Sequence, residues 1–413
     1  MKSIDFREIE GRSLGYYALL AFFGVLVLAG LFAGYYMYTK GHRVTGMNNQ
    51  IVWGIPHVFA VFMIVSASGA LNVASIASVF GRAMYKPLAR LSGLLAISLL
   101  IGGLTVLVLD LGKPDRLIVA MTTYNFKSIF AWNIFLYTGF IVVVAVYLWT
   151  MMERRMNKHT KSAGMFAFIW RLTLTTGTGS IFGFLIAREA YDSALLAPMF
   201  IIMSFSFGLA IFILYTMSVY ALTGRPLGDA ILRRLKNLLG VFVAAVLYFV
   251  AVYHLTNLYM TAHHAFEKFI LLDGGVYTGL FWIGQVLIGS IIPLVILFHP
   301  RVDGSSRRMI ALAAALVLVG AFCQIYVIII GGEAFPLIIF PGKIVSSSFF
   351  DGAIGHYRPS LPEITLGLAG VALALGLPTF AIKVLPYLPA SLADADVDPH
   401  HESAVKATEA AHA

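Results

Sequence analysis

Four short stretches of this sequence carry residue types that can move protons or hold a flat aromatic ligand. They are Trp53-Gly-Ile-Pro-His57, the run Leu109 to Arg116 with Asp110, Leu111 and Gly112, the segment Tyr124 to Trp132 with Asn125 and Ser128, and the group Arg188, Glu189, Tyr191 and Asp192. A histidine titrates near neutral pH, a carboxylate can tune or relay its proton, and tryptophan and tyrosine rings make apolar walls. That combination suits a quinone, whose two carbonyls need hydrogen-bond donors and proton carriers while its ring and tail need apolar packing. In this reading His57 exchanges a proton with a quinone carbonyl, Asp110 or Glu189 tunes or relays it, and Tyr191 donates a hydrogen bond. Each residue also has an ordinary role. Asp110 and Arg116 can cap a helix end and pair at the interface, Tyr124 and Trp132 can be interfacial belt residues, and His57 can be a satisfied helix-terminal histidine. Their arrival at one level of the membrane is what favours a site.

A second polar group holds His254, Asn257, Tyr259, His263, His264 and Glu267. His263 and His264 are neighbours in sequence, so on a helix they point about 100° apart and do not converge on one metal. A haem between His57 and His254 is conceivable by position alone. The single cysteine, Cys323, excludes an internal disulfide and a cysteine-ligated iron–sulfur cluster within the chain, and inside an apolar run it reads as a small buried hydrophobe. His400 and His401 lie in a polar tail and read as solvated. No metal site is expected, and no haem or iron–sulfur cluster bound by this chain.

The elements that must position these groups are membrane helices. Of 413 residues, 59% are hydrophobic and only 12% charged, against about a quarter charged in soluble domains, and the mean hydropathy is +0.86. The apolar runs are about 20 residues long, which is the length that crosses a bilayer core. Candidate spans lie at roughly 14–38, 52–80, 88–109, 129–152, 165–187, 194–222, 238–260, 276–298, 309–330 and 365–386. The fifth is the least apolar, with Arg171 and a row of threonines. The first run is longer than a secretory signal and ends in Tyr35, Tyr36 and Tyr38, an aromatic belt, so it reads as a retained helix. The chain is therefore an all-α integral membrane protein of about ten transmembrane helices.

Lys and Arg between the spans fall about two to one on the side of the termini. The positive-inside rule then places both ends in the cytoplasm. The net charge of +9 sits where topology demands it and needs no nucleic-acid partner. On this topology His57, Asp110, Trp132 and Glu189 share the outer level. The chain divides into a cytoplasmic tail 1–13, a membrane domain 14–386 and a polar, disordered tail 387–413. The long outer loop 331–364, rich in glycine and proline, reads as a functional or partner-binding segment.

The membrane interior holds no mid-span Asp or Glu, and Arg171 is its only deep charge. That weighs against an ion-coupled transporter, which usually needs intramembrane carboxylates or broken midplane helices. A solute transporter and a purely structural anchor are the rival readings. Ser66, Ser68, Asn72, Ser75 and Ser78, with the threonine row of the fifth span, could line a water path, or could simply be helix-packing residues.

Trp53-Gly-Ile-Pro-His57, Leu109-Asp-Leu-Gly-Lys-Pro-Asp-Arg116 and Asn125-Phe-Lys-Ser-Ile-Phe-Ala-Trp132 resemble the membrane subunits of the NrfD/PsrC polysulfide-reductase family, over about 50 to 330. The Asp-Leu-Gly-x-Pro-x-Arg element is the most specific part. With ten spans the chain is most similar to the larger members of the DsrP branch, membrane subunits of sulfite-reduction-associated DsrMKJOP complexes. The resemblance implies two four-helix bundles (about 52–187 and 194–330) plus two extra helices. It implies a haem-free anchor with a pocket for menaquinone or ubiquinone near the periplasmic face of a bacterial inner membrane. It also implies a periplasmic ferredoxin-like iron–sulfur partner and a multihaem cytochrome c among further subunits. Carried onto this chain, the pocket falls on His57, Asp110, Leu111, Gly112, Glu189 and Tyr191, with Tyr124, Ser128 and Trp132 in the segment that follows. The family's Ser-Pro-Met-Ser-Trp-like stretch reads Ser128-Ile-Phe-Ala-Trp132 here, without the proline.

Overall fold

The computed structural model describes residues 4–337 and 353–398. Among them are ten helices of membrane-spanning length: α1 Leu14–Lys40, α2 Ile55–Ser78, α3 Ala83–Leu109, α4 Ile129–Met152, α5 Thr160–Gly183, α6 Leu196–Thr223, α7 Asp229–Tyr259, α8 Val276–Phe298, α9 Arg307–Ala334 and α10 Leu361–Val384. Nine are apolar enough to be recognised as spans on composition alone. The exception is α5, whose threonines and Arg171 lower its hydropathy. It begins and ends about four residues earlier than its sequence suggests, so Arg188, Glu189, Tyr191 and Asp192 lie beyond the helix in a turn-rich connection. Likewise α7 starts at Asp229 and carries Arg233, Arg234 and Lys236 within its inner turns.

Helices α2 to α5 pack in a ring of four, and α6 to α9 form a second ring. The seam between them is α2 against α6, where a Cβ on Gly69 would overlap the Ser204 carbonyl and one on Gly208 would overlap the backbone at Gly69 and Ala70. Small residues allow this approach, and close backbone packing takes the place of the hydrophobic effect that lipid does not supply. The two remaining helices, α1 and α10, pack on each other, and α10 lies against α2 and α3.

The buried Arg171 explains how α5 lies inside the first ring. Its Nη2 donates to Asn72 Oδ1 at 2.9 Å and its Nη1 to the Ser68 carbonyl at 3.3 Å. The rings of Phe168 and Phe205 lie 4.9 and 5.1 Å from the guanidinium carbon. Ser68 and Asn72 flank the interruption of α2 after Ala70. A carbonyl, an amide and two ring faces meet this charge in place of a carboxylate.

The second ring is less regular. Residues Leu280–Ile291 of α8 and Val327–Gly331 of α9 are π-helical, as is Phe269–Asp273 in the connection before α8.

Both chain ends meet on one face, as an even number of spans requires. Phe6–Arg7 pairs antiparallel with Leu388–Pro389. The C-terminal segment expected to be disordered is in fact folded from Tyr387 to Asp398. Leu388, Leu392 and Val397 are buried, and the Asp394 carboxylate accepts from the backbone N–H of Asp229 and Ala230 at 3.2 and 3.0 Å. An anion there satisfies the free amides at the start of α7 and complements its dipole. His400 and His401 lie outside the described residues, as do 338–352 of the outer loop. The parts of that loop on either side pack back on the fold, with Gly355 N–H donating to the Ala334 carbonyl at 2.7 Å.

Candidate functional site

The face opposite the termini, called outer here, gathers the chemistry. His57 stands in the first turn of α2, which starts at Ile55 behind Gly54, with Pro56 at a position where its fixed φ and missing N–H suit a helix start. Asp110 caps the outer end of α3, and Gly112, at φ +71°, turns the chain away immediately after it. The fold brings the two side chains together across α2 and α3: His57 Nδ1 lies 2.8 Å from Asp110 Oδ2. The Asp110 side chain is fully buried and that of His57 is 18% exposed. Neither carboxylate oxygen has an aligned hydrogen bond. The contact is thus close but poorly directed, and His57 is the nearest donor to a buried acid that also faces the negative end of its own helix. With Nδ1 turned to Asp110, the Nε2 edge of the ring is left for a ligand.

The indole of Trp53 organises the surroundings. It stacks on His57 at 6.1 Å between centroids and meets Phe130, Phe182 and Tyr191 at 6.3, 5.7 and 6.5 Å. These rings come from the α2 entry, α4, α5 and the α5–α6 connection, so four segments share one aromatic wall. Tyr191 is buried, and its hydroxyl donates to the Ile329 carbonyl at 2.8 Å. It therefore offers its ring to the wall, while its proton serves the π-helical end of α9. Gly332 makes room, since a Cβ there would come within 2.6 Å of the Tyr191 ring.

Two buried acids that sequence reading passes over lock this entry segment. Glu333, at the outer end of α9, accepts the Trp53 backbone N–H at 2.9 Å. Arg188 bridges the Glu333 and Gln50 carbonyls at 3.1 and 2.9 Å. Glu363, in the first turn of α10, accepts from Gly46 N, Ser360 N and the Tyr357 hydroxyl at 2.8, 2.7 and 2.8 Å, and Tyr357 in turn receives the Ile55 N–H at 2.7 Å. A Cβ on Gly54 would lie 2.5 Å from Glu363 Oε1, so this residue must be small. Glu333 has the same signal as Asp110, a carboxylate closing an apolar run, but in sequence it reads as part of the loop. His42 is also missed by the sequence pattern. Its Nε2 is buried without a partner, and its ring lies against Gly112.

Other expected members lie elsewhere. Tyr124 stacks on Phe135 at 4.2 Å. Trp132 Nε1 donates to the Phe126 carbonyl at 2.9 Å, and the residue is 48% exposed. These rings form a separate outward-facing group, and Phe130, two residues earlier on α4, reaches Trp53 in place of Trp132. Ser128 is the N-cap of α4 without a side-chain capping bond, and Leu111 is half exposed. Glu189 turns to the second ring, where its carbonyl meets His263 Nδ1 at 2.7 Å. Burial pushes its carboxyl above the ordinary 4.5, and His263 opposes this.

The second ring has its own outer pair. His254 Nδ1 lies 2.7 Å from Glu267 Oε2, and Asn257 Nδ2 donates to Glu267 Oε1 at 2.8 Å. His264 is separately engaged by the Leu258 carbonyl. Among the described residues no three His, Cys, Asp or Glu side chains cluster as a metal site would require.

Residues 43–337 match the family model described as polysulphide reductase, NrfD. An Hdr-like menaquinol oxidoreductase integral membrane subunit from Archaeoglobus fulgidus is 30% identical over 94% of this chain and 97% of its own length. A selenate reductase subunit from Mesobacillus selenatarsenatis is 22% identical over 87% of this chain and 91% of its own. A putative dimethyl sulfoxide reductase membrane subunit from Halobacterium salinarum is 24% identical over 89% and 90%.

Proposed function

Because the chain belongs to the polysulphide reductase NrfD family, we propose that it is the quinone-reactive membrane subunit of a multi-subunit oxidoreductase, with His57 and Asp110 as its proton-handling pair. The observation that carries this is the buried carboxylate 2.8 Å from a histidine that stacks on Trp53 at the outer end of α2. The relative named as a menaquinol oxidoreductase subunit supports the choice of a quinone, menaquinone or ubiquinone, as substrate.

Oxidation of a quinol releases two protons and two electrons. His57 accepts a proton from the quinol hydroxyl through its free edge, and the Asp110 carboxylate stabilises the imidazolium that results. The aromatic wall packs the ring. Glu333 and Glu363 position Trp53 and His57 by fixing the backbone on either side of Gly54. The electrons pass to a partner subunit at the outer face, a periplasmic ferredoxin-like iron–sulfur protein, with a multihaem cytochrome c further along. The sulfur-metabolism role of a DsrP-type subunit in a bacterial inner membrane is the setting this reading favours.

The test uses the assembled complex. His57→Ala and Asp110→Asn should each lower quinol-linked electron transfer by about a hundredfold, the usual contribution of one general acid or base. An unchanged rate in a complex that still assembles removes the assignment. A Soret band in the purified chain would overturn its haem-free reading.

A further inference from the structure

We propose that His42 is the outer proton acceptor of the quinone site, taking the proton that leaves Asp110 and handing it to solvent at the outer face. This rests on the reading of His57 and Asp110 as the proton-handling pair and carries it one step further. His42 acts through Asp110 and does not touch the quinone.

The placement begins with α1, which belongs to neither ring. Gly34 packs on the last residue of α3, where an added Cβ would lie 3.3 Å from Leu109 Cβ. One turn further on, the Lys113 ammonium stands 5.1 Å from the centre of the Tyr38 ring. Gly41, at φ +75°, then ends the helix and leads the chain into the short turn His42–Val44. That turn sets the imidazole against Gly112, where a Cβ would come within 3.3 Å of both His42 Cε1 and Nε2. Gly112 is itself at φ +71°, so glycine serves there both for the turn and for the room. These contacts hold the end of α1 along the run Leu109 to Lys113, which contains Asp110.

Polar atoms are left over on both sides of this turn. His42 Nε2 is buried without a partner among the described residues, and neither Asp110 oxygen has an aligned hydrogen bond. Gly112 follows Asp110 by two residues, so at most about 7 Å of extended chain separates the acid from the residue that the ring touches. Water spans such a gap. A histidine kept only for packing would have its buried nitrogen bonded within the protein, as nearly all buried polar groups are. The other acid that reaches this segment, Glu363, is already occupied by Gly46, Ser360 and the Tyr357 hydroxyl. His42 as a whole is only partly buried, and Leu111 beside it is half exposed. A proton on this ring has therefore reached the outer surface.

The steps move protons alone within this chain. The quinol hydroxyl gives its proton to His57 Nε2, and the His57 Nδ1 proton passes to Asp110 Oδ2 across the 2.8 Å contact. The Asp110 carboxyl gives it up through water to His42 Nε2, and His42 releases a proton to bulk water. Each group returns to its starting charge, and the second proton follows the same route. The two electrons go to the iron–sulfur partner. The His57–Asp110 contact, poorly directed at rest, tightens as charge develops, as such hydrogen bonds do in working complexes.

The assembled complex, fed with a short-chain quinol, supplies the test. His42→Gln keeps a polar side chain but cannot carry a proton. It should lower the maximal rate about tenfold, less than the loss of a general base itself, with the quinol KM within about twofold. Free imidazole should restore most of that rate and leave the wild type unchanged. A packing role predicts no rescue. Full rate in His42→Gln, or a loss that imidazole does not restore, overturns the proposal. If that variant does not assemble, His42→Ala takes its place and gives free imidazole the vacated space. Failure of the underlying reading looks different, because His57→Ala and Asp110→Asn would then keep the wild-type rate, and the relay would fall with them. Low rates in those two beside a full rate in His42→Gln would remove the relay alone.

Discussion

The two rings each place a histidine within hydrogen-bonding distance of a fully buried carboxylate at the outer face, at 2.8 Å for His57–Asp110 and 2.7 Å for His254–Glu267. The likeness ends there. Glu267 has a partner on each oxygen, Asn257 on one and His254 on the other, and its histidine borders a small, mostly apolar cavity that two glutamines also line. Asp110 has no aligned donor on either oxygen, and its histidine borders a wall of aromatic rings. An undersupplied acid beside a half-sheltered imidazole is suited to a substrate that brings its own hydroxyl. A supplied acid already has its partners and has less need of a substrate's hydroxyl. The same two residue types therefore take different work from the atoms that surround them.

Replacing each histidine separates the two regions most widely. His57→Ala should lower quinol-linked electron transfer about a hundredfold, while His254→Ala should leave it within about twofold. Rates in the assembled complex decide this. Equal losses in both variants would mean that the pairs form one coupled site, and the comparison would collapse.

Gly332→Ala probes the contact through which α9 of the second ring supports the first site. The added methyl would press on the Tyr191 ring, and overpacking of this kind costs about 1–3 kcal/mol. A lower Tm should accompany a weaker quinol KM, because the displaced ring belongs to the Trp53 wall. A normal Tm with a normal KM would show that Tyr191 shifts freely and that the wall is not held from α9.

Asn257→Ala tests whether Glu267 is as well supplied as it looks. Loss of one donor to a buried carboxylate should cost about 1–2 kcal/mol, read as a lower Tm. Quinol oxidation should be unaffected. Asp110 has no equivalent donor to lose, which is the difference in question.

Much of this layout is legible in the sequence. Apolar runs of bilayer length mark nine of the ten spanning helices among the described residues, with α5 the weakest signal, and basic-residue asymmetry sets His57 and Asp110 at one level. Their pairing is not legible, because it depends on α2 and α3 packing side by side, and residues so far apart in sequence carry no periodic signal. Trp132 looks like a wall residue, but the 100° step between successive helix positions brings Phe130 against Trp53 in its place. Glu333 and Glu363 are hidden for another reason. A carboxylate next to glycines and prolines reads as a solvated loop, and only the folded chain shows backbone amides converging on it. The tail misleads similarly, since Asp394 gains its role from the free amides of α7 and has no local pattern of its own.

Glu189 lies where the two regions meet, and its effect should be the smallest. Burial raises its carboxyl above 4.5, so folding favours the protonated form. The group weighs nothing against stability at pH below its unfolded value. Its cost grows as pH rises from about 4.5 through the folded value and then stays constant. Glu189→Gln removes the charge that burial opposes. The variant should match the wild type in Tm near pH 4, and exceed it by no more than a few degrees at pH 7 and above. Electron transfer should hold, since the partner recorded for Glu189 is His263 of the second ring. If the variant instead loses Tm at pH 7, the carboxylate is held by a favourable charge partner. The boundary between the two regions would then be an ion pair that ties the quinone site to the second ring.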